Sequence, residues 1–110
     1  MHKLEITKSE RFILLIALRR YIKWLGSMET RKGYVPYAKV AFKKLLDSSN
    51  PKVDGGEMIT FVEALRYRST MLYQNDRLRD SDFLHELANN IDLQRQYYQY
   101  TNGPKIEKSS

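Results

Sequence analysis

Four times along the chain, apolar side chains recur at spacings of three and four residues, and no stretch of strand length alternates convincingly between apolar and polar. A period near 3.6 marks helices that bury one face, whereas a strand needs a period of two, so this patterning restricts the fold to an all-α class. Four amphipathic helices joined by connections of several residues imply a small bundle. A chain of 110 residues has room for one core. Residues 1–104 are expected to form a single helical domain and 105–110 a flexible C-terminal tail. With no cysteine in the chain, apolar packing has to hold that core without disulfides.

The element boundaries follow from capping chemistry. Ile6-Thr7-Lys8-Ser9-Glu10 reads as a helix start, because Thr7 can accept from the Glu10 N–H while the Glu10 carboxylate returns to that of Thr7. Leu14, Leu18, Tyr21, Ile22 and Leu25 follow at helical spacing and Gly26 offers a stop. Since Phe12 and Ile16 lie on the other side with Arg19, Arg20 and Lys23, this helix is apolar well beyond one stripe and is expected to be the central one. Gly26 to Val35 reads as a loop long enough for a small hairpin. Pro36 suits the first turn of a second helix, with Tyr37, Ala41 and Leu45 aligned, which ends before Pro51. Asp54-Gly55-Gly56-Glu57 has capping-box spacing and introduces a third helix with the line Met58, Phe61 or Val62, Leu65, Ser69 and Leu72. A break is expected near Asn75-Asp76. Asp80 or Ser81 then caps a fourth helix with the line Leu84, Leu87 or Ala88, Ile91, Gln94 and Tyr98, stopping at Asn102-Gly103-Pro104.

No constellation for catalysis, metal binding or a cofactor emerges. His85-Glu86 begins like a zinc-protease helix, but Asn89 stands where the second histidine would have to be. Asp76, Asp80 and Asp82 are interleaved with Arg77 and Arg79, which favours surface ion pairs over a cation site. Gly55-Gly56 lacks the lysine and hydroxyl of a phosphate loop. The longest apolar run, Phe12 to Leu18, is far short of the roughly twenty residues a membrane span needs. Acidic residues precede that run and no small-residue cleavage site follows, so a signal peptide is not expected and a cytoplasmic location is. The bundle needs the same residues for its core, which argues against a membrane-surface helix.

What remains is charge. The net +6 conceals a polarity: twelve Lys or Arg against four acids up to Val53, and seven against nine beyond it. Arg19, Arg20 and Lys23 on the first helix, Arg31 and Lys32 in the next loop, and Lys39, Lys43 and Lys44 on the second helix would make one continuous face if those helices are antiparallel neighbours. Such a face suits phosphate, with affinity dominated by counterion release. The connections flanking the second helix are too long for a helix-turn-helix. A second candidate surface is the tyrosine-rich stretch near the C-terminus, where Arg95, Tyr97 and Tyr100 suit a protein interface and Tyr98 points elsewhere. The expectation is therefore a non-enzymatic binding protein. It would associate with nucleic acid, DNA or RNA, through the basic face, within a larger assembly. The alternative is a protein-partner module, an inhibitor or regulator of mobile-element type, whose partner could be acidic. Oligomeric state is not legible in the sequence.

Overall fold

The computed structural model of the chain describes residues 1–102, so the expected stop at Gly103-Pro104 and the 105–110 tail lie outside the described residues. The elements run β1 (His2–Lys3), α1 (Lys8–Ser27), a 3-10 turn (Lys32–Tyr34), α2 (Val35–Asp47), β2 (Lys52–Val53), α3 (Gly55–Gln74) and α4 (Leu78–Asn102). The fold is an all-α bundle of four helices.

Both anticipated capping boxes form. Thr7 Oγ1 accepts the Glu10 N–H at 3.1 Å and Glu10 Oε1 accepts the Thr7 N–H at 2.8 Å. At α3, Asp54 Oδ1 accepts the Glu57 N–H at 2.7 Å and Glu57 Oε1 accepts the Asp54 N–H at 2.9 Å. Each box satisfies two backbone donors that a helix start would otherwise leave open. Helix α1 passes through Gly26 to Ser27 before turning extended at Met28. No glycine among the described residues has positive φ, so Gly26 serves as an ordinary helical residue rather than a stop. In place of a hairpin, the following loop closes with the Arg31 and Lys32 N–H groups on the Met28 carbonyl and then the 3-10 turn.

Helices α1 and α2 are antiparallel neighbours. Arg11, in the first turn of α1, donates from Nε to the Leu45 carbonyl at 2.9 Å and from Nη2 to the Leu46 carbonyl at 2.9 Å, so a cation caps the C-terminus of α2. Helices α3 and α4 form a hairpin closed by a Schellman turn. The Asp76 N–H reaches the Tyr73 carbonyl, the Arg77 N–H reaches the Leu72 carbonyl, and Asp76 takes φ 61°. This places the break where Asn75-Asp76 suggested it.

The expected apolar lines of α3 and α4 are the buried ones: Met58, Phe61, Leu65 and Leu72 meet Leu84, Leu87, Ala88 and Ile91. The distribution of burial differs from expectation in one respect. Helix α1 packs on both α2 and α3, but α3 touches all three other helices and buries more residues, while Phe12 and Ile16 of α1 stay exposed. The centre of the bundle is therefore α3, with α1 beside it. Helix α4 packs along α3 more extensively than any other helix pair does, and the outer face of α1 is left uncovered.

Short β structure completes the core. His2 pairs with Val53 and Lys3 with Lys52 in an antiparallel ladder. The Leu4 N–H continues to the Pro51 carbonyl, and Asn50 Nδ2 donates to the Leu4 carbonyl at 2.8 Å. These bonds hold Leu4 at 0% exposure in the core. Gln94, a polar residue on the buried line of α4, clamps the same segment: its Oε1 accepts the Glu5 N–H and its Nε2 donates to the Glu5 carbonyl.

Candidate nucleic-acid interface

The helical period of α1 sends Leu14, Leu18, Tyr21 and Leu25 inward, and so sends Arg19, Arg20 and Lys23 outward. None of these three forms an ion pair among the described residues. The other expected members of the basic face are differently engaged. The Arg31 guanidinium lies 5.7 Å from the Trp24 ring centroid, a cation–π distance. Lys32 pairs with Glu29 at 3.0 Å and Lys43 with Asp47 at 3.2 Å, both on the surface where such pairs contribute little. Lys39 is exposed and forms no ion pair among the described residues. Lys44 turns toward α3, where Nζ meets Glu57 Oε1 at 2.9 Å and the Lys52 carbonyl at 3.3 Å. Since Glu57 is buried and already caps α3, Lys44 acts as a tie between helices rather than as free surface charge.

Helix α1 runs antiparallel to α3, with Tyr21 Oη donating to Glu63 at 3.3 Å near one end and Ile13 and Leu72 lining one depression near the other. Burial, reinforced by the Glu63 carboxylate, pushes the Tyr21 phenol up to about 12. This packing carries the α1 cations to three arginines from the acidic half of the chain. Arg68 of α3 shares one depression with Arg20 and Lys23, walled by Trp24, Tyr67 and Met71. The same Arg68 rims a larger depression of about 470 Å³ whose apolar floor includes Ile16, Leu72 and Phe83, with Arg77 and Arg79 on its edge. The single carboxylate there, Asp80, is bonded by Arg77 Nε at 2.8 Å. The Arg68 pKa is lowered by burial first and then by the like charges of Arg20 and Arg77. Arg68 therefore lies close enough to Arg20 and Arg77 to feel their like charge.

The surface assembled by the fold is consequently Arg19, Arg20, Lys23, Arg68, Arg77 and Arg79. Sequence reasoning missed its last three members because they belong to the stretch with net charge −2. The legible signal was Arg68 beside Ser69, one position from the buried line of α3 and therefore at the boundary with a neighbouring helix.

At the far end of α4, Arg95 Nε donates to Asp92 Oδ1 at 2.8 Å and Nη1 to Gln99 Oε1 at 2.6 Å, so its charge is already compensated. That hydrogen bond holds the Asp92 carboxyl below its ordinary range. Tyr97 and Tyr100 are 66% and 74% exposed and share a side with exposed Leu93. Tyr98 turns inward, its ring 6.2 Å from that of His2. His85 is exposed. Among the described residues no group of three or more His, Asp or Glu is placed to hold a metal ion, and no helix is long and apolar enough to cross a membrane. No protein-family model matches the chain, nor does any curated protein or solved structure.

Proposed function

We propose that this chain is a non-enzymatic binding protein that associates with nucleic acid mainly through phosphates. The contact surface is the outer face of α1 together with Arg68, Arg77 and Arg79. The observation that carries the reading is a chain of six cations, from three helices and the turn before α4, that line adjoining depressions holding one carboxylate, Asp80, which Arg77 already occupies. Clustered cations of which, among the described residues, one alone has a local carboxylate partner suit a polyanion, and binding to one is driven by release of its condensed counterions. The cations of α2 contribute less, since Lys43 and Lys44 have carboxylate partners.

The test is anisotropy of a labelled strand and of a duplex between about 50 and 200 mM salt, the range over which phosphate contacts lose most of their affinity. Affinity is expected to fall linearly on logarithmic axes. Replacing Arg19, Arg20 and Lys23 together by Glu should flatten the slope by roughly 2 to 3. The same exchange at Lys39 and Lys43 should change it less. Absence of binding at low salt, or an unchanged slope in the α1 variant, refutes the reading.

A protein partner is the second reading, favoured by the exposed Leu93, Tyr97 and Tyr100 side of α4. A purified complex that survives nuclease and is lost in Tyr97→Ala/Tyr100→Ala would favour it.

A further inference from the structure

We propose that the nucleic acid this surface fits is a single strand, with unpaired bases seated in the two depressions on either side of Arg68. The inference rests on the phosphate-binding reading above and goes beyond it by naming the form of the ligand.

The two depressions alternate with the cations instead of lying apart from them. One is walled by Trp24, Tyr67 and Met71 and measures about 260 Å³. The other is floored by Ile16, Leu72 and Phe83 and measures about 470 Å³, within the range of small-ligand sites. Arg68 lines both, so a phosphate held there has an apolar recess on each side. Phe83 is 45% exposed, and Met71 and Ile16 are each 38% exposed, so three apolar side chains face outward amid charge. Duplex DNA keeps its apolar base faces stacked inside and offers such a surface phosphates, sugars and base edges, so the recesses would stay unfilled. A single strand offers phosphates and apolar base faces in alternation. Cations interleaved with aromatic walls are how proteins hold unpaired strands without reading sequence. Phe83 and Tyr67 supply aromatic surface, and the guanidinium planes of Arg68 and Arg79 add stacking partners.

Trp24 is the only tryptophan in the chain, so its fluorescence gives a single-site signal beside the recess it walls. Oligo-dT and oligo-U of about twelve nucleotides, a length within known single-strand site sizes, would be compared with a duplex and with an abasic strand of equal charge. Oligo-dT or oligo-U is expected to bind at least tenfold more tightly than the abasic strand and to quench Trp24. The duplex should leave Trp24 unquenched. Phe83→Ala, at an exposed position, should weaken base-bearing strands about fivefold to a hundredfold and leave abasic binding unchanged. Equal affinity for abasic and base-bearing strands, or an unquenched Trp24 with oligo-dT bound, overturns the base-seating proposal while leaving the phosphate reading intact. Failure of every strand to bind at low salt overturns both.

Discussion

Ser69 stands in the middle of the apolar line of α3, and its replacement tests why a hydroxyl is there. Ser69 Oγ lies 2.8 Å from the Ser81 carbonyl, Ser81 Oγ lies 2.9 Å from the Ser69 carbonyl, and the two hydroxyl oxygens are 2.9 Å apart. Both residues are buried. Each hydroxyl has one proton to donate, so the pair makes reciprocal bonds across the α3–α4 seam. Ser69→Ala and Ser81→Ala should each cost about 1 kcal/mol, the net value of one such bond. The double variant should cost less than the sum by about 0.5 kcal/mol or more, because the contact between the oxygens is lost in either single change and counted once in the pair. Ser69→Val is the sharper test. Its methyl groups would occupy the space of contacts shorter than 3 Å, adding an overpacking cost of about 1 to 3 kcal/mol to the lost bond. Valine, the better match to an apolar line, should therefore be worse than alanine. Urea unfolding followed by far-UV circular dichroism, with unchanged m-values, measures this ranking. A Ser69→Val protein as stable as the parent would refute it. Ser69 adjoins Arg68 and Ser81 follows Arg79 and Asp80, so under the proposed function loosening this seam should also weaken nucleic-acid binding.

Other perturbations isolate single devices. Thr7→Ala should remove one half of the first capping box and lower stability by about 1 kcal/mol in the same unfolding assay. Arg11→Met keeps much of the aliphatic stem but strips the carbonyls of Leu45 and Leu46 of their donor, and should cost about 1.5 to 3 kcal/mol, with faster amide exchange in the last turn of α2. Tyr21 should ionise near pH 12, seen as the difference between the ultraviolet titrations of the parent and Tyr21→Phe. Its raised value favours the neutral phenol in the fold, so the stabilisation is complete below pH 10, its ordinary value, and is lost as pH rises through about 12. Glu63→Gln removes the reinforcing charge and should bring the titration down without abolishing the part due to burial.

Periodicity and capping carried most of the fold. Thr7-Glu10 and Asp54-Glu57 are local devices whose geometry depends on a few residues, and the buried lines of α3 and α4 depend only on the helical period, so both are legible without tertiary knowledge. Leu4 was not legible, because its burial comes from hydrogen bonds to Asn50 and Pro51, about fifty residues away in sequence. Nor was the ranking of α1 and α3, since which amphipathic helix becomes central depends on how neighbours share its faces. Within the candidate site, the three α1 cations followed from periodicity. Lys44 could not be assigned, since a lysine on a helix flank turns toward a carboxylate or toward water according to what packs beside it.

The charge polarity of the chain posed a question of masking: whether the acidic half folds over the basic half and neutralises it. The ion pairs argue against that arrangement. Lys32 with Glu29, Lys43 with Asp47, Arg77 with Asp80 and Arg95 with Asp92 are all three or four residues apart, so these ion pairs form within each half and not between the halves. Among the described residues only Lys44 with Glu57 joins a cation of the first half to an acid of the second. Among the described residues no acid of the second half forms an ion pair with Arg19, Arg20 or Lys23 on the outer face of α1, and the second half instead sends Arg68, Arg77 and Arg79 to it. The linear segregation of charge thus misleads in an informative direction. The half with net negative charge extends the positive surface, because the antiparallel packing of α3 on α1 sorts residues by helix face, whereas counting along the chain sorts them by position.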